Sequence, residues 1–282
     1  MRELPGLEPD EFITPIVGDW AEEKYRLVWC YADLFATSMK DKWQHLVYVD
    51  LFAGPGRARI RGTKRTIPAP PLLALNLKYP FTRYIFSEWS QEKLDALRRR
   101  VERVAPAADA HFIHGDTNEN IGKIIERIPT PSRGNKVLTF CFADPYRLAD
   151  LHSSTIQRLA DARYTDFLVL VPSGMDASRN RKLYLTAKSS MLDSFLGNGE
   201  WRSRWPAAMQ LGQRFTEFVV DEFGRAMAAR GYRYDGIGSA HLMSSTARHL
   251  PIYHLLMLSK HALGGDFWDK CRRQATPQGK LF

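Results

Sequence analysis

Four acidic residues, each closing a run of apolar residues, carry the chemistry of this sequence. Val49-Asp50-Leu51-Phe52-Ala53-Gly54-Pro55-Gly56 ends the first run, Phe86-Ser87-Glu88 the second, His114-Gly115-Asp116 the third and Asp144-Pro145-Tyr146 the fourth. Glycines after a strand let the backbone approach a ligand closely, and a carboxylate ahead of them orients the loop and accepts from a ligand ammonium group. An acid at the second position suits both hydroxyls of a ribose, and one at the third suits an exocyclic adenine amine. The pattern points to a nucleoside cofactor held by Asp50, Phe52, Gly54, Gly56, Glu88 and Asp116. A dinucleotide is disfavoured, because Arg59 stands where its third glycine belongs and the polar, proline-bearing stretch 57–71 starts no helix. Any one acid could cap a helix; chance caps would seldom place four in succession at one edge.

The elements that must position these acids alternate. Leu46 to Phe52, Tyr84 to Glu88, Ala110 to His114, Val137 to Ala143 and Phe167 to Val171 read as strands. Between them Pro71 to Tyr79, Ser90 to Val104, Asn118 to Ile128 and Ser153 to Ala162 read as helices. Repeated βα units imply a parallel sheet covered on both faces, a doubly wound α/β core. Ahead of it, Trp20 to Trp43 places Tyr25, Val28, Tyr31, Leu34 or Phe35, Phe35 or Met39, and Trp43 near one helical stripe, with Glu22, Glu23, Lys24, Arg26 and Lys40 elsewhere. This stripe is expected to pack on the core rather than to form a partner groove. Beyond Pro172, helices are expected over Lys182 to Leu196 and Gln210 to Arg230, the second stopped by Gly231. Closing strands follow over Tyr232 to Leu242 and Ile252 to Ser259, joined by a polar turn around Ser244 to His249, and then a helix over Gly264 to Arg273. The expected organisation is an N-terminal helical extension, residues 1–45, and one α/β domain, 46–282, with an insert near 173–210.

The order of motifs resembles class I S-adenosylmethionine-dependent methyltransferases: a D-x-x-x-G-x-G loop, an acid after the second strand, an Asp after the third and a catalytic motif after the fourth. Tyr48-Val49-Asp50-Leu51-Phe52-Ala53-Gly54-Pro55-Gly56, Phe142-Ala143-Asp144-Pro145-Tyr146 and the tail Ser259-Lys260-His261 with Phe267-Trp268 resemble the three-Cys-motif partner (TcmP) family. The resemblance runs from about Trp20 to the C-terminus. It implies a Rossmann-like seven-stranded sheet, S-adenosylmethionine as cofactor, and pairing with a radical-SAM-like three-cysteine protein encoded beside this one. The class I order also implies a catalytic role for Asp144, Pro145 and Tyr146, but the resemblance implies no substrate; the leading reading is a methyltransferase acting on a nucleic acid or nucleotide-like acceptor. The competing readings are a non-catalytic docking partner with the same fold and a small-molecule methyltransferase. Two features depart from the pattern. Glu88 follows Asp50 by 38 positions, against about 20 in a compact Rossmann unit, so the stretch 57–71 must loop out. Asp144-Pro145-Tyr146 also has one proline fewer than the motif of nucleic-acid amino-methyltransferases.

Arg57, Arg59, Arg61, Lys64 and Arg65 crowd five cations just beyond the glycine loop, and the alternation Arg57-Ala58-Arg59-Ile60-Arg61 gives an extended segment one cationic face. The segment is a candidate nucleic-acid contact or a solvated face. His114 is read as structural, and Trp201 and Trp205 as capping the insert. With 44% hydrophobic and 25% charged residues the chain is neither disordered nor fibrous, and its net charge of +9 favours phosphate-bearing partners. No apolar run approaches the roughly 20 residues of a bilayer span. The N-terminus carries neither a secretory nor a transit signal, so the cytoplasm is expected. Cys30, Cys141 and Cys271 fit no metal knuckle and no disulfide framework, and each is expected as a small buried residue.

Overall fold

The computed structural model describes residues 3–186, 191–245 and 250–275. In chain order, strand β1 (Ile16–Val17) precedes helix α1 (Trp20–Met39), then β2 (His45–Asp50), β3 (Arg57–Ile60), β4 (Thr66–Pro68) and α2 (Pro70–Leu75). The βα repeats follow as β5 (Arg83–Glu88), α3 (Gln91–Val104), β6 (Ala110–His114), α4 (Thr117–Arg127), β7 (Val137–Ala143), α5 (Ser153–Ala162) and β8 (Thr165–Val171). Four helices succeed them, α6 (Arg181–Leu185), α7 (Met191–Leu196), α8 (Trp201–Gln210) and α9 (Phe215–Ala228). The chain closes with β9 (His241–Ser244), β10 (Pro251–Leu258) and α10 (Ala262–Ala275).

Seven strands form one sheet in the order β6-β5-β2-β7-β8-β10-β9. β2, β5, β6, β7 and β8 are parallel, and β10 runs against both its neighbours. This is the doubly wound, Rossmann-like seven-stranded sheet that the sequence led us to expect. Alternate side chains of each strand feed separate cores. Leu46, Tyr48, Phe86, Phe140 and Leu168 pack under α1, α3 and α10, while Val47, Val49, Ile85, Cys141 and Val169 pack under α4, α5 and α9. Because both faces are covered, the strands read as nearly unbroken apolar runs. The chain winds outward from β2 through β5 to β6 and then returns to β7 on β2's other side. The carboxyl ends of β2 and β7 thus flank the switch point, where open α/β sheets bind ligands.

α1 starts at Asp19, whose side chain accepts from the Trp20 amide at 3.0 Å. It buries Leu27, Val28, Tyr31 and Phe35 against the sheet, and the Tyr31 hydroxyl donates to Asp166 Oδ2 on β8 at 2.8 Å. Lys24 departs from the expected polar face: it too is buried. The stretch 57–71 does loop out, as a small second sheet in the order β1-β3-β4. Ala58, Ile60 and Ile67 close over Leu4 and Tyr25 in a core of their own.

Several expectations are corrected. Cys30 on α1 and Cys271 on α10 form a disulfide, with Cα atoms 5.8 Å apart, and only Cys141 is a free buried thiol. The two helices pack side by side, a closeness that cysteines 241 positions apart do not advertise. The expected strand over Tyr232 to Leu242 is restricted to β9, because Gly236 holds a φ of 79° and a 3₁₀ turn occupies Ile237–Ser239. The expected helix Lys182 to Leu196 survives as α6 and α7, with 187–190 outside the described residues; 246–249 of the polar turn lie outside them too. The helix expected from Gln210 begins only at Phe215, because Gly212 takes a φ of 79°. Trp201 and Trp205 belong to α8 and are buried against Phe215 and Phe218. No described helix is long and apolar enough to cross a membrane.

Candidate functional site

Asp50 ends β2 with 1% of its surface exposed. Its Oδ1 accepts from the Phe52 amide at 3.1 Å and its Oδ2 from the Tyr48 hydroxyl at 3.2 Å. The carboxyl therefore shapes the start of the loop from beneath. Gly54 and Gly56 then hold φ of 60° and 83°, a region that side chains resist. A Cβ on Gly56 would also meet Leu97 Cδ1 at 2.8 Å, whereas one on Gly54 would meet open space. The loop is thus packed at its second glycine and bare at its first.

Glu88, at the end of β5, holds this loop in place. Its Oε2 accepts from the Gly54 amide and its Oε1 from the Ser90 amide, both at 2.9 Å. From the other side Arg100 on α3 donates through Nη1 to the Pro55 carbonyl at 2.5 Å, through Nε and Nη2 to Asp10, and through both terminal nitrogens to the chain from Phe12 to Thr14. The guanidinium holds the Asp10 carboxyl below its ordinary range. Asp116, beyond β6, accepts from the Asn118 amide at 2.6 Å and caps α4.

Asp144 follows β7. Its Oδ2 lies 2.5 Å from the ammonium of Lys24, which α1 delivers. Lys24 stands over the rings of Tyr25 and Tyr253, 5.4 and 5.5 Å from their centroids. Pro145 is buried and Tyr146 is 73% exposed. Burial pushes the Asp50 carboxyl up to about 8, with the negative charges of Asp144 and Glu88 adding to it against the Phe52 amide. The acids read from the sequence do share one edge, close enough for Asp144 and Glu88 to be felt at Asp50.

The basic segment divides. Arg57 donates to the Glu8 carbonyl at 2.8 Å and pairs with Asp10 at 3.1 Å. Arg65 pairs with Glu22 and donates to the Leu4 carbonyl. Arg59, Arg61 and Lys64 are exposed. Lys24, Arg100, Trp89 and Tyr253 were not foreseen. Trp89, 71% exposed and directly after Glu88, was legible from its neighbour; the other three owe their places to contacts remote in sequence.

No family model matches the chain, and no curated protein does. Among solved structures it is similar to a protein of Legionella pneumophila, at 10% identity over 89% of this chain and 92% of that one, with a TM-score of 0.47. It is similar also to magnesium protoporphyrin IX methyltransferase (ChlM) from Synechocystis with bound SAH, at 11% identity over 85% and 84% of the two chains and a TM-score of 0.43. A third is the O-methyltransferase from Bacillus cereus in complex with SAH, at 12% identity over 81% and 80% and a TM-score of 0.44.

Two hollows lie away from this edge. One of about 250 Å³ is lined by Arg233, Ser259 and Trp268, and one of about 220 Å³ by Trp29, Cys30 and Lys270. Neither touches the glycine loop or the four acids. Among the described residues no group of three or more His, Cys, Asp or Glu is placed to hold a metal ion.

Proposed function

We propose that this chain is an S-adenosylmethionine-dependent methyltransferase that acts on a nucleic acid or nucleotide-like acceptor and works with a three-Cys-motif, radical-SAM-like partner. The observation that carries the cofactor reading is that Asp50, Glu88, Asp116 and Asp144 follow four adjacent parallel strands at one edge of the sheet, with the switch point and a loop with two positive-φ glycines among them. The residues fit the cofactor. Gly54 leaves space above the loop, and Glu88 retains lone pairs after accepting two amides. Asp116 follows β6 at the same edge of the sheet, and the exposed Trp89, next to Glu88, would offer a base its ring.

Bound there, S-adenosylmethionine supplies an electrophilic methyl group on a sulfonium. The chain has to align the acceptor with that methyl and take up a proton late in the reaction. Asp144 and the Pro145 carbonyl would hold the acceptor's hydrogen, and the exposed Tyr146 would stack on a planar acceptor. A base within a duplex must be flipped out to reach them. The outward Arg59, Arg61 and Lys64 support a phosphate-bearing acceptor, and the motif wording around Asp50, Asp144 and Phe267-Trp268 supports the partner. Calorimetric titration with S-adenosylmethionine and its demethylated product tests the cofactor reading; no heat of binding to the native protein would end it.

A further inference from the structure

Lys24 is 9% exposed, unusual for a lysine, and its ammonium is anchored at 2.5 Å on Asp144 Oδ2. Among the described residues no hydrogen bond engages Asp144 Oδ1. Tyr253, 2% exposed, lies under the same ammonium, and its hydroxyl has no hydrogen-bond partner among the described residues. A buried hydroxyl left unpaired costs folding free energy and calls for a reason, such as a group that arrives later. Burial, with the charge of Asp144 behind it, holds the Tyr253 hydroxyl well above its ordinary pKa, so it stays a donor. A cation paired with one carboxylate and, under that cation, the ring of a tyrosine whose hydroxyl is a neutral donor thus lie together beyond the end of β7.

We infer that Lys24, Asp144 and Tyr253 form a subsite for an ionisable hydroxyl, so that the atom methylated is an oxygen and not an amine nitrogen. This rests on the methyltransferase reading above and keeps, of its acceptors, a nucleotide-like molecule that carries such a hydroxyl in place of a flipped-out base. In the step, the acceptor's O–H bond breaks and its proton passes to Asp144 Oδ1. The oxygen's electron pair forms the new O–CH₃ bond, and the bond from that methyl to the sulfonium sulfur breaks with its pair left on sulfur. Negative charge gathering on the oxygen is stabilised by Lys24 and Tyr253. Attack by a neutral amine instead builds positive charge on nitrogen, which Asp144 would ease but for which Lys24 and the Tyr253 hydroxyl, both donors, have nothing to offer.

The probe 4-nitrophenol tests this without turnover, because only its anion absorbs in the visible. With the full chain in excess, with and without S-adenosylhomocysteine, at a pH where the free dye is mostly neutral, the anion should rise about tenfold, the effect of one pKa unit. Lys24→Arg should keep the rise and Lys24→Met should abolish it. Tyr253→Phe deletes only an unpartnered hydroxyl, should melt no lower than the native protein, and should lose about half of the rise or more. An unshifted dye with the native protein overturns the subsite, as does an unchanged rise in a folded Lys24→Met or in Tyr253→Phe. Calorimetry of S-adenosylmethionine on the same samples reads the cofactor separately. Binding with an unshifted dye sinks the subsite alone, and a shifted dye without binding sinks the cofactor reading.

Discussion

The Gly54 amide donates to Glu88 Oε2 at 2.9 Å, so the glycine loop after β2 is held from the end of the neighbouring strand β5. The parallel register, with Asp50 opposite Phe86, brings the two within reach although 34 positions separate them. The same carboxylate accepts from Ser90 and so steers the entry to α3. One side chain thus sets both the cradle and the start of the helix beside it.

Glu88→Ala should weaken S-adenosylmethionine binding by about 1–3 kcal/mol, the cost of removing one partner of charged hydrogen bonds. It should also lower the melting temperature, because the Gly54 and Ser90 amides lose their acceptor. Glu88→Gln, which keeps one acceptor oxygen for the two amides, should fall between. Calorimetric curves indistinguishable from the native protein's in both variants would remove Glu88 from the site.

Asp50 makes stability depend on pH. In the fold its carboxyl holds a proton up to about pH 8, while the ordinary value in an open chain is 3.8. Between those values the folded state binds more protons than the unfolded one, so this group's contribution is fully present below about pH 4, is lost as pH rises to about 8 and is constant above. Asp50→Asn, which mimics the protonated form and still accepts from Phe52, should raise the melting temperature, more at pH 9 than at pH 5. A cationic ligand nearby favours the carboxylate, so binding of S-adenosylmethionine at pH 7 should release protons from the native protein and fewer from the variant. Calorimetry in buffers of different ionisation enthalpy reads that release, and a gain in melting temperature independent of pH would contradict the raised pKa.

Most of the main sheet was legible because β2, β5 and β7 read as apolar runs that end in or lead into an acid, and β8 as an apolar run without one. β6, β7 and α5 match the expected bounds, and β2 and β5 differ by two residues or fewer at each end. Lys24 was not legible: a lysine among Glu22, Glu23 and Arg26 reads as solvated, and its burial depends on Asp144, 120 positions away. β1 and β4 are too short to show a period, and β3 owes its strand state to the pairing of Ile16 with Arg59 as much as to its own alternation. That alternation did foretell the inward Ala58 and Ile60, but nothing in it marked Arg57 and Arg65 as ties to residues 4–22.

The Cys30–Cys271 bridge joins the first long helix to the last. Alkylation of the unreduced, denatured protein should therefore label Cys141 alone, and reduction beforehand should label all three cysteines. Cys271→Ser should cost about 2–4 kcal/mol of stability without reductant, the usual worth of a disulfide, and much less of that with it. Three labels on the unreduced protein, read by intact mass, would show that the bridge does not form.

The basic segment makes two separable predictions, because its cations have different partners. Arg59, Arg61 and Lys64 are exposed, whereas Arg57 and Arg65 are bound to Glu8, Asp10, Glu22 and Leu4. Each phosphate contact releases a counterion, so log affinity should fall with log salt by about 0.7 per contact for single strands and about 0.9 for duplex. Replacing Arg59, Arg61 and Lys64 together by Gln should flatten that slope by up to about two to three, with the melting temperature and S-adenosylmethionine binding unchanged. Arg57→Gln with Arg65→Gln should do the reverse: the slope stays, while the segment ahead of α1 loosens and tryptic cleavage there quickens. Labelled single-strand and duplex oligonucleotides titrated at several salt concentrations read the first effect, and limited proteolysis reads the second. If the native protein binds neither DNA nor RNA in a salt-dependent way, the exposed cations are a solvated face and the acceptor lies outside nucleic acids; if the slope follows Arg57 and Arg65 instead, their internal bonds open when the strand docks.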